Sequence, residues 1–346
     1  MIKTGCKYGT HRSIKPKGGL PQPAEKIDNT MEIYDNEILI NVKTLNIDSA
    51  SFTQIKNQAN GSIEEMKKIM LEIVKKRGKH HNPVTGSGGM LIGEVEKIGP
   101  KLKGKIDLKK GDEIATLVSL SLTPLNIEKI IEVRPEIDQV DIKGKAILFE
   151  SGIYAKLPKD MPKNLALSVL DVAGAPAQTK RLVKKGDTVL VIGATGKSGM
   201  LCLYEAKKKV GESGKVICLG HSDKQIEKVK SLDLADEYIK ADATNPVEVM
   251  EKVKKVTKDD LADITINCVN VQDTEMSCIL ATKNDGLIYF FSMATSFTKA
   301  ALGAEGVGRD TKMIIGNGYA KNHAKIALNI MRESKALRKV YEEYYA

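Results

Sequence analysis

The apolar and polar positions of this 346-residue chain follow two rhythms, and the change falls near residue 165. Before it, short apolar runs alternate with polar residues, the period of half-buried strands. Met31–Ile33 and Glu37–Thr44 flank the turn residues Asp35-Asn36 and predict a hairpin; Met90–Ile98 and Glu113–Leu117 predict further strands. One helix interrupts them. Ser62 reads as its N-cap with Glu65 three residues on, Ile63, Met66, Met70 and Ile73 share a face, and Lys75, Lys76, Arg77 and Gly78 end it.

After the change, buried-type strands alternate with helices. Val189–Ile192, Val216–Leu219, Tyr238-Ile239, Ile264–Val269 and Leu287–Phe291 predict strands, and Met200–Val210, Gln225–Leu232, Val247–Val256 and Glu275–Ala281 predict helices. That order predicts a parallel sheet covered on both faces, an α/β doubly wound Rossmann fold. Two domains follow: a β-rich one over 1–165 and a Rossmann one over 166–309. The last segment, about 310–346, is expected to return and complete the first.

The most specific local signal is Gly193-Ala194-Thr195-Gly196-Lys197-Ser198-Gly199, after a buried strand and at the start of a helix. Gly193 permits a tight turn, Gly196 lets the backbone approach a pyrophosphate, and Gly199 lets helix pack closely on strand. These seven residues are the expected dinucleotide contacts, with the free amides of the helix start holding phosphate. His221, Ser222, Asn270 and Ser292, at strand C-termini, complete the expected cofactor set. Asp223 lies late for a ribose acceptor, and His221, Ser222 and Lys224 suit a 2′-phosphate, so NAD is expected with NADP also possible.

Composition narrows the picture further. Aromatic residues are 4% of the chain and Trp is absent, which leaves no stacking platform for single-stranded nucleic acid. The net charge of +10 is spread over many lysines and reads as a solvated surface, with some pull on anionic ligands. Five cysteines, without a C-x-x-C pair, read as reduced intracellular thiols. Met1–Arg12 carries no apolar signal core, and no apolar run of about 18 residues occurs. A cytoplasmic protein without a membrane or nucleic-acid partner is expected, and a homodimer is the default assembly.

The β-rich half, the glycine-rich strand Gly86–Gly99, Lys110–Ile114, Ile147–Pro158 (ILFESGIYAKLP) and the late Rossmann half together resemble the medium-chain dehydrogenase/reductase superfamily. That likeness implies a GroES-like catalytic domain ahead of the cofactor domain. Tyr8–Arg12 (YGTHR), Leu20–Pro23 (LPQP), Asn46–Ile55 (NIDSASFTQI), His81–Gly89 (HNPVTGSGG) and Leu170–Gln178 (LDVAGAPAQ) are similar to the L-erythro-3,5-diaminohexanoate dehydrogenase family of lysine fermentation. The resemblance implies oxidation of a C3 amine to a ketone with release of ammonia, and a diamino-acid substrate. Where zinc-dependent relatives carry Gly-His-Glu this chain has Gly86-Ser87-Gly88, and Asp48-Ser49-Ala50-Ser51 stands where they carry a cysteine ligand. With no set of three His, Cys or carboxylate ligands, no metal is expected.

Amine oxidation requires a neutral nitrogen, hence a base or a desolvating pocket. Asp48, Glu150 and His81 are the candidate catalytic groups. Arg12 is the candidate clamp for the substrate carboxylate, because a guanidinium pairs with it through two hydrogen bonds. Ser51 and Ser87 are expected to line the same site. A quinone or enoyl reductase of the same superfamily, needing no such clamp, is the competing enzyme reading. A dinucleotide sensor or basic nucleic-acid binder is the non-enzymatic one.

Overall fold

A computed structural model describes residues 3–316 and 318–346; Met1 and Ile2 of the N-terminal stretch and Asn317 lie outside it. The chain divides into a unit of Met1–Leu167 with Ala346 and a unit of Ser168–Tyr345.

In the first unit, β1 (Ser13–Lys15) and β2 (Lys26–Ile27) form a small ribbon, and β3 (Glu37–Asn46) leads into α1 (Ser49–Gln58) and α2 (Ile63–Arg77). Then come β4 (Met90–Ile98), β5 (Glu113–Thr116), β6 (Leu125–Arg134), β7 (Gln139–Phe149) and β8 (Tyr154–Lys156). The main sheet is antiparallel with six strands in the order β6-β7-β3-β4-β5-β8. Helix α2 forms as its pattern requires: Ser62 Oγ accepts from the Glu65 amide, and Gly78 closes it in the left-handed region at φ 73°. Its Met66, Met70 and Val74 join Ile40, Leu45, Leu91 and Val140 in one aliphatic core.

The expected hairpin is not formed, because Met31–Ile33 takes no strand. Carbonyls of Thr30 and Glu32 accept from the Arg12 guanidinium at 2.8 Å, so this backbone is committed to a side chain rather than to a ladder. Ile33 still packs on Leu39, Ile147 and Phe149, which is why its apolar pattern read as a strand.

Helix α3 (Lys163–Asp171) carries the boundary, and α4 (Gly174–Leu182) follows in the second unit. Next come β9 (Thr188–Ile192), α5 (Lys197–Val210), β10 (Lys215–Gly220), α6 (Asp223–Lys230), β11 (Glu237–Lys240) and α7 (Pro246–Thr257). The unit continues through β12 (Ala262–Asn267), α8 (Glu275–Ala281), β13 (Thr282–Phe290), α9 (Phe297–Gly306) and β14 (Lys312–Ile315), and ends with α10 (His323–Glu333) and α11 (Lys335–Tyr344). The sheet is wholly parallel in the order β11-β10-β9-β12-β13-β14. The order reverses direction at β9, which puts a crevice at the C-terminal ends of β9 and β12.

The expectation that the last segment completes the first unit is corrected. Strand β14 adds to β13, α10 packs on α4 and α5, and the Tyr341 hydroxyl donates to the Lys197 carbonyl. The C-terminal helices therefore support the second unit's own turn.

Candidate functional site

In the second unit the glycine turn is built as its spacing requires. Gly193 has φ 75°, and a Cβ there would lie 2.8 Å from the Val269 nitrogen. A Cβ on Gly199 would collide with the Gly193 carbonyl oxygen and stand 2.6 Å from the Ala194 α-carbon. Only Gly196 is uncrowded; the nearest atom to its would-be Cβ is the Gly193 oxygen at 3.5 Å. It precedes α5 with no side chain to cap it, leaving the first-turn amides of Lys197, Ser198 and Gly199 for an anion. The cradle fits a pyrophosphate.

The neighbouring side chains are spoken for in part. The Lys197 ammonium pairs with Asp171 at 2.6 Å, the Ala194 amide donates to Leu219, and Thr195 Oγ1 donates to Gln225 at 3.3 Å. Strand β10 ends on Gly220, so no acid stands at its tip; His221 and Ser222 follow, and the Asp223 carboxylate is paired with Lys240. Asn270 is exposed beyond β12, and Ser292 Oγ accepts from the Ala294 amide at 3.2 Å. Sequence reasoning missed Asn267. It is fully buried, donates to Thr274 Oγ1 at 2.8 Å, and accepts from the Val269 amide, which shapes the segment packed on Gly193.

In the first unit a second constellation forms where β3 ends. Asp48 caps α1: its Oδ1 accepts from the Ser51 amide at 2.9 Å, whereas Oδ2 is buried with no partner. Ser51 is fully buried, with Oγ 2.6 Å from Thr85 Oγ1 and 3.0 Å from Ser87 Oγ. Thr85 and Ser87 are 3.2 Å apart, so three hydroxyls close a triangle. Asn82 fixes the loop that carries them, accepting from the Val84 and Thr85 amides and donating to Gln54 at 2.8 Å.

Two histidines flank that loop. His80 is completely buried and neither ring nitrogen has a partner; burial brings its pKa down to about 4. His81 is also brought down to about 4, by burial first and then by Lys79 and Arg77, and its Nδ1 has no partner. Both rings are thus neutral at physiological pH. Lys79 is buried too, its ammonium donating to the Pro21 and Gln22 carbonyls at 2.6 and 3.0 Å, with burial lowering its pKa to about 8. The LPQP string is the strap that this lysine holds.

Arg12 is corrected as a substrate clamp. It is fully buried and its five N–H groups are consumed within the unit: Nε and Nη2 hold Glu37 at 2.7 Å, and the rest reach Thr30, Glu32 and Asp28. The Glu37 carboxyl is pushed up by burial, but hydrogen bonds from His11 and Arg12 win and hold it below its ordinary range. Glu150 is likewise displaced, accepting from Asn36 at 2.9 Å with Lys101 3.6 Å away. Asn36 and Glu37 sit at the start of β3 and Asp48 beyond its end; ten extended residues separate these by about 30 Å. The structure brings Asp48, Ser51, Ser87 and His81 to one end of the unit, and Arg12 and Glu150 to the other.

An antiparallel β-rich unit followed by a doubly wound parallel sheet with a glycine turn is the build of a medium-chain dehydrogenase/reductase, a class that uses a nicotinamide cofactor. Among solved structures, zinc-dependent alcohol dehydrogenase 2 from Streptococcus pneumonia matches at TM-score 0.56, covering 92% of this chain and 89% of that one at 16% identity. Quinone oxidoreductase from Pseudomonas syringae pv. Tomato DC3000 matches at 0.52, covering 94% and 86%, also at 16% identity. These likenesses concern the fold. The L-erythro-3,5-diaminohexanoate dehydrogenase N-terminal domain model matches residues 11–158, and a zinc-binding dehydrogenase model matches 198–326. L-erythro-3,5-diaminohexanoate dehydrogenase of Acetoanaerobium sticklandii is 63% identical over 99% of both chains. Its counterpart in Fusobacterium nucleatum subsp. nucleatum is 61% identical over 99% of this chain and 100% of its own. The chain belongs to the L-erythro-3,5-diaminohexanoate dehydrogenase family. It is an oxidoreductase of that family, and among the described residues no group of three or more His, Cys, Asp and Glu gathers as metal ligands do.

Proposed function

We propose that this enzyme oxidatively deaminates L-erythro-3,5-diaminohexanoate to 5-amino-3-oxohexanoate and ammonia, as a cytoplasmic enzyme of lysine fermentation. The observation that carries the substrate is the 63% identity over 99% of both chains, which includes the loop and helix of the Asp48 constellation.

The dinucleotide supplies the hydride acceptor, held by Gly193–Gly199 with His221, Ser222, Asn270 and Ser292 around it. The chain's own residues prepare the amine. The candidate bases are Asp48, whose Oδ2 has no other partner, and the neutral His81; either takes the proton only once the substrate ammonium is desolvated beside it, because burial weakens an ammonium's hold on its proton. Ser51, Thr85 and Ser87 carry one hydroxyl proton each, and a proton turned out of their triangle would donate to the substrate carboxylate, with the buried Ser51 bracing the other two. Water then adds to the oxidised carbon and ammonia leaves.

NAD is the acceptor in this reading; NADP competes with it, because β10 ends without an acid to hold a ribose diol and Asp223 is occupied by Lys240. The homodimer of the same reading uses the open edge of β14, where Ile315 is exposed.

The test is absorbance at 340 nm with purified protein, L-erythro-3,5-diaminohexanoate and each cofactor, with ammonia assayed alongside. Reduced cofactor and ammonia in equal amounts are expected. Silence with both cofactors, from protein that binds dinucleotide, overturns the substrate.

A further inference from the structure

We propose that Cys202 and Cys268 form a reversible dithiol–disulfide modification site that controls dinucleotide binding. The inference rests on the reading of Gly193–Gly199 as the cofactor turn, and extends it to regulation.

The two sulfurs are 3.7 Å apart although 66 residues separate them in sequence. Each belongs to an element that shapes the turn. Cys202 lies on the buried face of α5, one turn beyond the amides that face the phosphates. Cys268 follows β12, and its amide donates to the Ile192 carbonyl at 2.9 Å, on the last residue of β9. A Cβ on Gly193 would lie 3.0 Å from the Cys268 carbonyl carbon, so the backbone carrying this thiol is packed against the first glycine. A disulfide holds its sulfurs at about 2.05 Å. Closing the gap therefore draws α5 and the Cys268 segment together where Gly193 and Gly199 leave no slack.

Exposure sets the order of events. Cys268 is partly exposed and Cys202 is buried, so a peroxide oxidant reaches Cys268 first. Its thiolate takes one oxygen and becomes a sulfenic acid, while the other peroxide oxygen leaves as hydroxide. The Cys202 sulfur then attacks; the S–S bond forms, the S–O bond breaks, and hydroxide departs as water with the Cys202 proton. In sum two thiols lose two electrons and two protons, and one hydrogen peroxide becomes two waters. Burial, with Cys268 adding to it, raises the pKa of the Cys202 thiol, so it is not the first to be oxidised; it attacks as its proton passes to the departing hydroxide.

The experiment treats the full chain with hydrogen peroxide, alkylates the remaining thiols, maps peptides by mass, and measures dinucleotide affinity before and after dithiothreitol. Expected are the Cys202 and Cys268 peptides joined with loss of two hydrogens, and a dinucleotide Kd raised about tenfold that dithiothreitol restores. Cys202→Ala and Cys268→Ser should each abolish the response, while Cys6→Ser keeps it. Unjoined peptides, joined peptides with unchanged affinity, or a loss that persists in Cys202→Ala overturn the proposal. Untreated protein that binds no dinucleotide overturns the cofactor reading instead, and the joined peptides are scored by mass independently of it.

Discussion

The two candidate sites are made of different material. The second unit's cradle is backbone: three glycines, the uncapped start of α5 and a buried Asn267 that shapes its support. The first unit's constellation is side chains: one carboxylate oxygen, three hydroxyls and two neutral rings, brought by the end of β3, the start of α1 and the 79–89 loop. In the proposed reading the backbone cradle binds the dinucleotide and the side-chain cluster chooses what is oxidised. Damage to one should therefore appear in cofactor affinity and damage to the other in turnover.

Asp48→Asn gives the largest expected effect on that division. Asparagine caps a helix as well as aspartate does, so α1 and the fold should persist. It removes the carboxylate acceptor, and kcat should fall by about 10²–10⁴-fold, the usual contribution of a positioned acid or base. Dinucleotide affinity, measured by fluorescence titration, should stay within a factor of about two, well under the tenfold that 1.4 kcal/mol represents. Equal losses in both quantities would break the comparison.

Arg12→Met comes next, and it tests a correction. Losing the guanidinium leaves Glu37 buried without its strongest partner, a change that costs about 3–5 kcal/mol when a buried pair is broken. A lower thermal midpoint is expected, and protein that remains folded should keep its substrate KM. A KM raised tenfold or more without loss of stability would restore Arg12 as the carboxylate clamp.

The cradle has its own internal contrast. Gly199→Ala puts a methyl into the Gly193 carbonyl and should lower both stability and cofactor affinity. Gly196→Ala meets nothing closer than 3.5 Å, so the fold should tolerate it. Its methyl stands where a pyrophosphate approaches, and the expected result is a dinucleotide Kd raised about tenfold, or 1.4 kcal/mol, with an unchanged melting temperature. Matching losses of stability in the two variants would show that Gly196 serves packing rather than ligand approach.

The same difference in material separates what the sequence reveals from what it hides. Glycine spacing is a local property of the chain, so the turn, its strand and its helix could be read residue by residue; Gly193 and Gly199 stand as that reading required. Asp48, Ser51, Ser87 and His81 were named, but nothing local shows that Thr85 completes their triangle, since its partner Ser51 is 34 residues away. Arg12 shows no local sign of its role: a clamp and a buried structural arginine look alike until its partner Glu37 is found 25 residues on. Glu150 failed for a similar reason: the end of an apolar strand does not reveal which end of the sheet it occupies. The C-terminal segment was misplaced because strand β14 is short, and pairing with β13 is a long-range choice.

The remaining effect concerns acid. His80 is held neutral in the fold, its pKa lowered from 6.5 to about 4 by burial, whereas the unfolded chain protonates it near 6.5. The unfolded state thus binds the extra proton, and the native state loses stability as pH falls from 6.5 toward 4. Between pH 6.5 and 5 the loss comes to about 1.5 kcal/mol, less than the full 1.36 kcal/mol per unit because the unfolded ring is only half protonated at the upper end. His81 shifts in the same direction and adds a smaller, more solvent-screened share. Burial also lowers the pKa of His323, which adds to the loss, and raises that of Glu205, which opposes it, so the share of His80 is read as the difference between wild type and a His80 variant in urea midpoints from pH 6.5 to 5. His80→Leu replaces two unpartnered nitrogens with apolar surface and should flatten that limb by about half or more. An unchanged acid limb in the variant would mean that the ring finds a proton acceptor in solution, and the loop beside Asp48 would then be more open than its burial indicates.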